Sequence, residues 1–288
     1  MKLNDRNAII TGASQGLGLE IAKHFIQNGA SVFLCARNYD KLLAARDILS
    51  KFLAMDKQKI CIMALDISKK HQVKSLIDEA ISEFGRIDVL VNNAGVYGPF
   101  GNIEDIDLEE WIEAFAVNLY GPLYSMAYII PHFKQNNYGK IINLSGGGAT
   151  NPLPRISSYA ASKAALVRLS ETIALEVKGC NVDVNAIAPG ALNTELNKKL
   201  LAVDKNIIGK EFHERMSKML ENGGTPLEVG ASLAVYLASG DSDGITGKLI
   251  SAPWDPWKSF SEYKKELLES DIYTIRRIVP EDRGKTFK

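Results

Sequence analysis

Short apolar runs alternate along the chain with longer stretches of helical periodicity. Residues 8–10 (AII) form the first run, read as a buried strand, and a glycine-rich turn follows. Residues 17–28 carry helical spacing and stop at Gly29. Residues 31–36 (SVFLCA) and 59–65 (KICIMAL) predict strands two and three, with a helix over 42–54 between them. Residues 73–84 put Val73, Leu76, Ile77, Ala80, Ile81 and Phe84 on one helical stripe, and 87–91 predict strand four. Residues 108–133 are helical in pattern, interrupted around Gly121-Pro122, and 140–144 predict strand five. A long helix over 157–177, a strand over 182–188, a helix over 227–238 and a short strand over 248–251 complete the pattern.

Strands and helices alternating in this way imply right-handed βαβ units and a parallel sheet. The strands are apolar nearly throughout, as expected when helices cover both faces. No linker-like break precedes residue 251, so the pattern predicts an α/β fold with one doubly wound, seven-stranded domain over 1–251. Residues 194–224 are polar, helical in pattern and inserted after strand six. Residues 252–288 form a C-terminal extension with Trp254 and Trp257. Within it Phe260, Tyr263, Leu267 and Leu268 recur at helical spacing and predict one amphipathic helix. That extension reads either as a packing arm, including one onto a neighbouring subunit, or as an active-site cover. In the second reading Arg276 or Arg277 meets an anionic substrate.

An apolar fraction of 46% over 288 residues is ample for a sizeable core. The 34 basic side chains equal the 34 acidic ones, so no nucleic-acid or acidic-membrane partner is expected. Cys35, Cys61 and Cys180 are far apart and read as free thiols of a reducing compartment. His24, His71, His132 and His213 do not cluster, so no metal site is expected. Residues 1–7 are polar, lack the layout of a secretion signal and lead directly into a strand; no apolar run approaches the roughly 20 residues of a membrane span. A cytoplasmic location is expected.

Thr11-Gly12-Ala13-Ser14-Gln15-Gly16-Leu17-Gly18 lies between the first strand and the first helix. Glycines there permit a tight turn and close backbone approach to a pyrophosphate, which then sits at a helix N-terminus. Strand two ends in Cys35-Ala36-Arg37-Asn38, with no carboxylate until Asp40. An Arg at that place accommodates a ribose 2′-phosphate, which predicts NADP(H), with NAD(H) as the alternative. Tyr159 and Lys163 are four residues apart and share a helix face. An ammonium beside the phenol favours the phenolate, predicting a Tyr pKa below its usual value of about 10 and a group suited to acid–base work.

In this order the motifs resemble those of the short-chain dehydrogenase/reductase family, in its single-domain branch, over residues 3–251. The resemblance implies a Rossmann-type sheet. It implies cofactor contacts at Gly12, Ser14, Gln15, Gly16, Leu17 and Gly18, and at Asp66 and Ile67 after strand three. Asn92-Asn93-Ala94-Gly95 resembles the family's NNAG, and Pro189-Gly190-x-x-x-Thr194 its segment over the nicotinamide. Asn118 matches the asparagine of the catalytic tetrad, and Tyr159 and Lys163 match its tyrosine and lysine. The implied reaction is hydride transfer between nicotinamide and a ketone or secondary alcohol. Tyr159 then gives or takes the proton, and Lys163 holds ribose hydroxyls. The substrate class implied first is a 3-oxoacyl thioester or similar ketone, with a sugar-linked or other anionic substrate second. A cofactor-binding protein with weakened catalysis is the reading from another class.

The resemblance breaks at the tetrad serine, whose position is Gly146. Ser145 is expected to supply the hydroxyl instead, with Thr150, Ser157 and the amides of the run Gly146-Gly147-Gly148 as alternatives. That run also reads as a place for a substrate phosphate. The helices over 118–133 and 159–177 imply a homodimer or homotetramer, with Ala160, Ala164, Val167, Ser170, Glu171 and Ala174 as a flat pairing face.

Overall fold

The computed structural model describes residues 1–286. Its strands are β1 (Asn7–Thr11), β2 (Ser31–Ala36), β3 (Ile60–Ala64), β4 (Val89–Asn92), β5 (Gly139–Leu144), β6 (Val182–Ala188) and β7 (Leu249–Ser251). All pair in parallel, in the order β3-β2-β1-β4-β5-β6-β7. The helices are α1 (Gly16–Gln27), α2 (Tyr39–Leu49), α3 (Lys70–Phe84), α4 (Leu108–Phe115), α5 (Gly121–Gln135) and α6 (Ser157–Glu176). They continue with α7 (Glu195–Leu201), α8 (Lys205–Ile208), α9 (Lys210–Glu221), α10 (Leu227–Ala238) and α11 (Lys264–Glu269).

Successive strand residues face opposite sides, and here both sides are apolar. Ile10, Val91 and Ile142 pack with α1 and α10 on one face. Ile9, Leu90 and Ile141 pack with α3 and α5 on the other. The chain runs outward from β1 through β2 to β3, then reverses at β4. Such a switch point opens a crevice at the carboxyl ends of the strands, between β1 and β4. The turn after β1 and the loop after β4 both end there.

Residues 108–133 contain no break at Gly121-Pro122. One π-helical turn, Ala116–Tyr120, joins α4 to α5. Pro122 has no N–H for the Asn118 carbonyl, and its ring crowds that carbonyl; the wider turn relieves the crowding. Gly121 is required by packing, because a Cβ there would stand 2.9 Å from Ile67 Cγ1.

Among its described residues the extension forms one six-residue α-helix, α11, with 3₁₀ turns at Trp257–Ser259 and Pro280–Arg283, so the predicted longer helix through Phe260 is not present. Trp257, Phe260 and Leu267 are buried in the core beside α1 and α10. Beyond α11 the extension runs along the outer edge of β7. Leu249 N donates to Tyr273 O at 2.8 Å, and Lys248 Nζ donates to Ser270 O and Ile272 O, both at 2.9 Å. Glu171 Oε1 on α6 accepts from Ile275 N at 2.7 Å. The extension thus caps the exposed sheet edge of its own chain. Arg276 is paired with Asp271 and Asp282, each at 2.7 Å, and neither it nor Arg277 lines the cleft at the switch point. The active-site-cover reading is therefore set aside. Of the expected flat face of α6, Val167, Ser170 and Ala174 are buried and Glu171 is held by the extension and by Arg168 at 2.6 Å, while Ala160 and Ala164 are half-buried.

Among the described residues no helix is long and apolar enough to cross a membrane, and no group of three or more His, Cys, Asp or Glu side chains is placed to hold a metal ion.

Candidate active site

The crevice is a cleft of about 410 Å³. Its floor is the turn after β1. Gly12 has φ +64°, and a Cβ there would lie 2.8 Å from Ala94 Cα. Thr11 Oγ1 accepts from Asn93 N (3.0 Å) and Ala94 N (3.1 Å). Asn93 Nδ2 donates to Thr11 O (2.9 Å) and Gly12 O (3.1 Å). The Asn93 amide therefore staples the β1 turn to the β4 loop, and Gly18 leaves room for that staple, since a Cβ there would run into it. Gln15 precedes α1 without a side-chain cap, so the first amides of α1 are open toward the cleft, beside Ser14, Gly16 and Leu17.

One end of the cleft holds Arg37, Lys41, Asp66 and Ile67. Burial raises the Asp66 carboxyl, but Ser68 N (2.9 Å), Ser68 Oγ (2.8 Å), Lys69 and Arg37 outweigh it and hold it below the usual range. Lys41 reaches Gln15 Oε1 at 3.3 Å. Sequence reading missed Lys41, although its position four residues after Arg37, on the first turn of α2, brings both cations to one place. Pro189, Gly190 and Thr194 line the facing wall, with Lys199, also missed.

The other end holds Ser145, Tyr159 and Lys163, with Ala94 and Gly95 between the two ends. Asn118 is fully buried behind them and does not line the cleft. Its Oδ1 accepts from Val96 N (2.9 Å), and its Nδ2 donates to Val96 O (2.8 Å) and Ser162 Oγ (3.0 Å). It fastens the π turn to the β4 loop and to α6. Lys163 Nζ donates to Leu144 O at 2.6 Å and lies 5.7 Å from the Tyr159 ring centroid.

Burial pushes the Tyr159 phenol up to about 12 and the Lys163 ammonium down to about 8. This corrects the expectation of a lowered tyrosine pKa. The ammonium is spent on a backbone carbonyl rather than on the phenol oxygen, and desolvation of both groups wins. Tyr97 also escaped sequence reading. Its ring packs on that of Tyr159, with centroids 4.7 Å apart, and its hydroxyl donates to Asn197 Oδ1 on α7.

The serine question has a geometric answer. Ser145 is buried at the cleft, and its Oγ has no hydrogen-bond partner. Ser157 Oγ is taken by Trp111 Nε1 at 3.0 Å, and Thr150 is exposed and outside the cleft. The glycine run does not line the cleft either. A Cβ on Gly146 would stand 2.5 Å from Tyr159 Oη, and one on Gly148 would stand 2.9 Å from Ala160 Cα. Those two glycines make room for α6 rather than for a phosphate.

A doubly wound sheet with an open helix N-terminus, a cation pair at one end of the switch-point cleft and a Tyr-Lys pair at the other defines a dinucleotide-binding oxidoreductase class. Comparison with known proteins gives the family. The profile of the short chain dehydrogenases matches residues 6–205. The chain is 35% identical over 246 residues to glucose 1-dehydrogenase of Gluconobacter oxydans, covering 85% of this chain and 89% of that protein. It is 34% identical over 252 residues to the 3-oxoacyl-(acyl-carrier-protein) reductase FabG of Chlamydia muridarum, covering 86% and 96%. A solved structure of 7α-hydroxysteroid dehydrogenase, complexed with NADH and 7-oxo glycochenodeoxycholic acid, matches with a TM-score of 0.76 at 29% identity, covering 87% and 93%. The chain belongs to the short-chain dehydrogenase/reductase family and is an oxidoreductase of that family.

Proposed function

We propose that the protein is an NADP(H)-dependent oxidoreductase acting on a small-molecule ketone or secondary alcohol, with Tyr159 as the acid–base group. The observation that carries this reading is the unpartnered, buried Ser145 Oγ in one cleft with Tyr159 and Lys163, at the far end from Arg37 and Lys41. The cofactor, when bound, supplies the hydride. The residues fit it. Gly16 leaves the turn open to the cleft, the first amides of α1 would receive the pyrophosphate, and Asp66 and Ile67 would face the adenine. Arg37 and Lys41 face a 2′-phosphate, and Thr194 closes the nicotinamide side together with Pro189 and Gly190.

Ser145 Oγ donates a hydrogen bond to the substrate oxygen as charge develops on it. Tyr159, held protonated by burial, gives its proton to that oxygen in the reductive direction. Lys163, lining the same cleft, would hold the ribose hydroxyls of the cofactor. Asn118 positions the loop and helix that carry the pair. Residues 194–224 act as a lid, because α7 is tied by Asn197 to the ring that packs on Tyr159.

A homodimer or homotetramer forms through α4 and α5, whose Leu108, Ile112, Tyr120 and Leu123 are exposed. Size-exclusion chromatography returning a 31.6 kDa species at micromolar concentration overturns this point. The test of the chemistry is turnover of a ketone and alcohol panel with NADPH and NADH. Tyr159→Phe abolishes it, and Ser145→Ala lowers kcat by about 10²–10³-fold, the loss typical of one oxyanion donor. Full turnover by Ser145→Ala removes Ser145 from the site.

A further inference from the structure

A second cavity, of about 800 Å³, opens between residues 152–155 and the helices α8 and α9. It is separated from Tyr159 by a small apolar core. Ile156, Leu200, Ile208 and Met216 form that core, and Tyr97, Leu153, Tyr159 and Phe212 pack against it. Leu153, Ile208 and Phe212 also line the cavity. The catalytic tyrosine and the cavity therefore share one apolar wall.

The cavity's charge is one-sided. Arg155, Lys205, Lys210 and Arg215 line it, against the single carboxylate Glu211. Among the described residues none of these four cations belongs to an ion pair. The whole chain is formally neutral, so this excess is local. Arg155 has φ +68°, a left-handed conformation that an arginine rarely adopts and that is maintained only when the surroundings impose it. Its carbonyl accepts from Gly101 N at 3.0 Å. Its Nε lies 3.4 Å from Asn102 Oδ1 and its Nη1 lies 3.5 Å from Asn206 O. A Cβ on Gly209 would stand 3.0 Å from Nη1. Neutral groups from two segments thus contact the guanidinium and leave its charge uncompensated. α9, of twelve residues, starts at the same point without a side-chain cap.

We propose that this cavity receives an anionic oxygen group, phosphate or carboxylate, at the end of the substrate remote from the reacting carbon. The substrate class is then a ketone or alcohol with an apolar middle, lying over the half-buried Leu153 and Phe212 at the surface of that core, and an anionic end. Planar guanidinium groups suit such oxygens. The proposal deepens the oxidoreductase reading and rests on Tyr159 being its acid–base group.

The test is isothermal titration calorimetry of the full chain with sodium pyrophosphate and, separately, sodium malonate, at ionic strength held constant with sodium chloride. The tighter of the two anions identifies phosphate or carboxylate. Arg155→Gln with Lys210→Gln weakens binding by about tenfold per cation removed, and Arg37→Gln leaves it unchanged. Arg215→Gln, on the exposed side of α9, weakens it as well and serves if the double variant fails to fold. Binding that ignores Arg155, Lys210 and Arg215, an adventitious ion only, overturns the proposal. So does binding lost in Arg37→Gln, which places the ion in the cofactor cleft. Ketone turnover that survives Tyr159→Phe defeats the catalytic reading instead, and leaves the anion titration untouched.

Discussion

Gly146 is where the family's serine is missing, and restoring a side chain there tests how the site is built. The residue has φ −179°, an extended backbone that any residue adopts, so substitution brings no backbone strain. What it brings is a Cβ 2.5 Å from Tyr159 Oη. Ordinary carbon–oxygen contact begins at about 3.3 Å, so the phenol oxygen must retreat by about 0.8 Å. The ring has little freedom to absorb this, because Tyr97 packs on it and is itself tied to Asn197. Misplacement by about 1 Å costs about 10²-fold in rate, or about 3 kcal/mol of barrier.

Gly146→Ala is therefore expected to lower kcat by about 100-fold. Gly146→Ser is expected to do the same, although it puts a hydroxyl at the position where the resemblance to the family leads one to expect it. The assay is steady-state turnover with the best ketone of the panel. NADPH affinity serves as the control and should hold, since Gly146 does not line the cofactor cleft. A Gly146→Ser variant as fast as the parent refutes the reasoning. It would mean that Tyr159 does not work from the position seen here, and that Ser145 is not the hydroxyl the reaction uses.

Two further outcomes follow from the cleft. Arg37→Gln and Lys41→Gln each weaken NADPH by about tenfold, as loss of one charge-assisted contact does, and leave NADH nearly unchanged; equal losses for both cofactors in a fluorescence titration sink the 2′-phosphate assignment. Lys163 gives a pH dependence of stability. Its pKa falls from the usual value of about 10.4 to about 8 on folding. Between those values the unfolded chain holds a proton that the folded chain lacks, so the Lys163 contribution to stability rises with pH across this window, by about 3 kcal/mol. Below pH 8 both states carry the proton and the burial penalty is present in full. Urea unfolding of parent and Lys163→Met at pH 7 and pH 10 isolates the effect as a difference. The parent must gain on the variant at the higher pH, and a constant or shrinking difference contradicts the burial argument.

The sheet was legible because parallel strands covered on both faces are apolar throughout, and residues 31–36 and 182–188 end where β2 and β6 end. The cofactor turn was legible because Gly12 and Gly18 answer local steric demands, and those demands imprint on sequence. The misses share a different origin. The Tyr159–Lys163 spacing says that two groups share a helix face, but not how dry that face is. Burial by the β4 loop and α7 reverses the expected direction of the tyrosine shift. The apolar spacing over residues 260–268 records contacts with the core, which Phe260 makes from a turn and Leu267 from the short helix α11, so one spacing spans two local structures. Lys41 went unread because a cation on a first helical turn has no pattern until Arg37 stands beside it.

The displaced serine shows how a local rule can mislead in the other direction. Along a strand, a shift of one residue moves a side chain to the opposite face. By that rule Ser145 should turn away from any site that position 146 would serve. The strand, however, ends at Leu144. Ser145 keeps one sheet-like bond, its N–H donating to Ile187 O at 2.8 Å, and the chain then turns through Gly147–Ala149. Alternation has lapsed at that point, and the Ser145 hydroxyl lines the cleft, buried and without a partner. Gly146 complements it: with no side chain there, the Tyr159 oxygen rests against the backbone in space a serine would have filled. The two departures from the family pattern are therefore one arrangement. On the proposed mechanism it moves the hydroxyl back by one residue and lets the tyrosine oxygen rest in the gap.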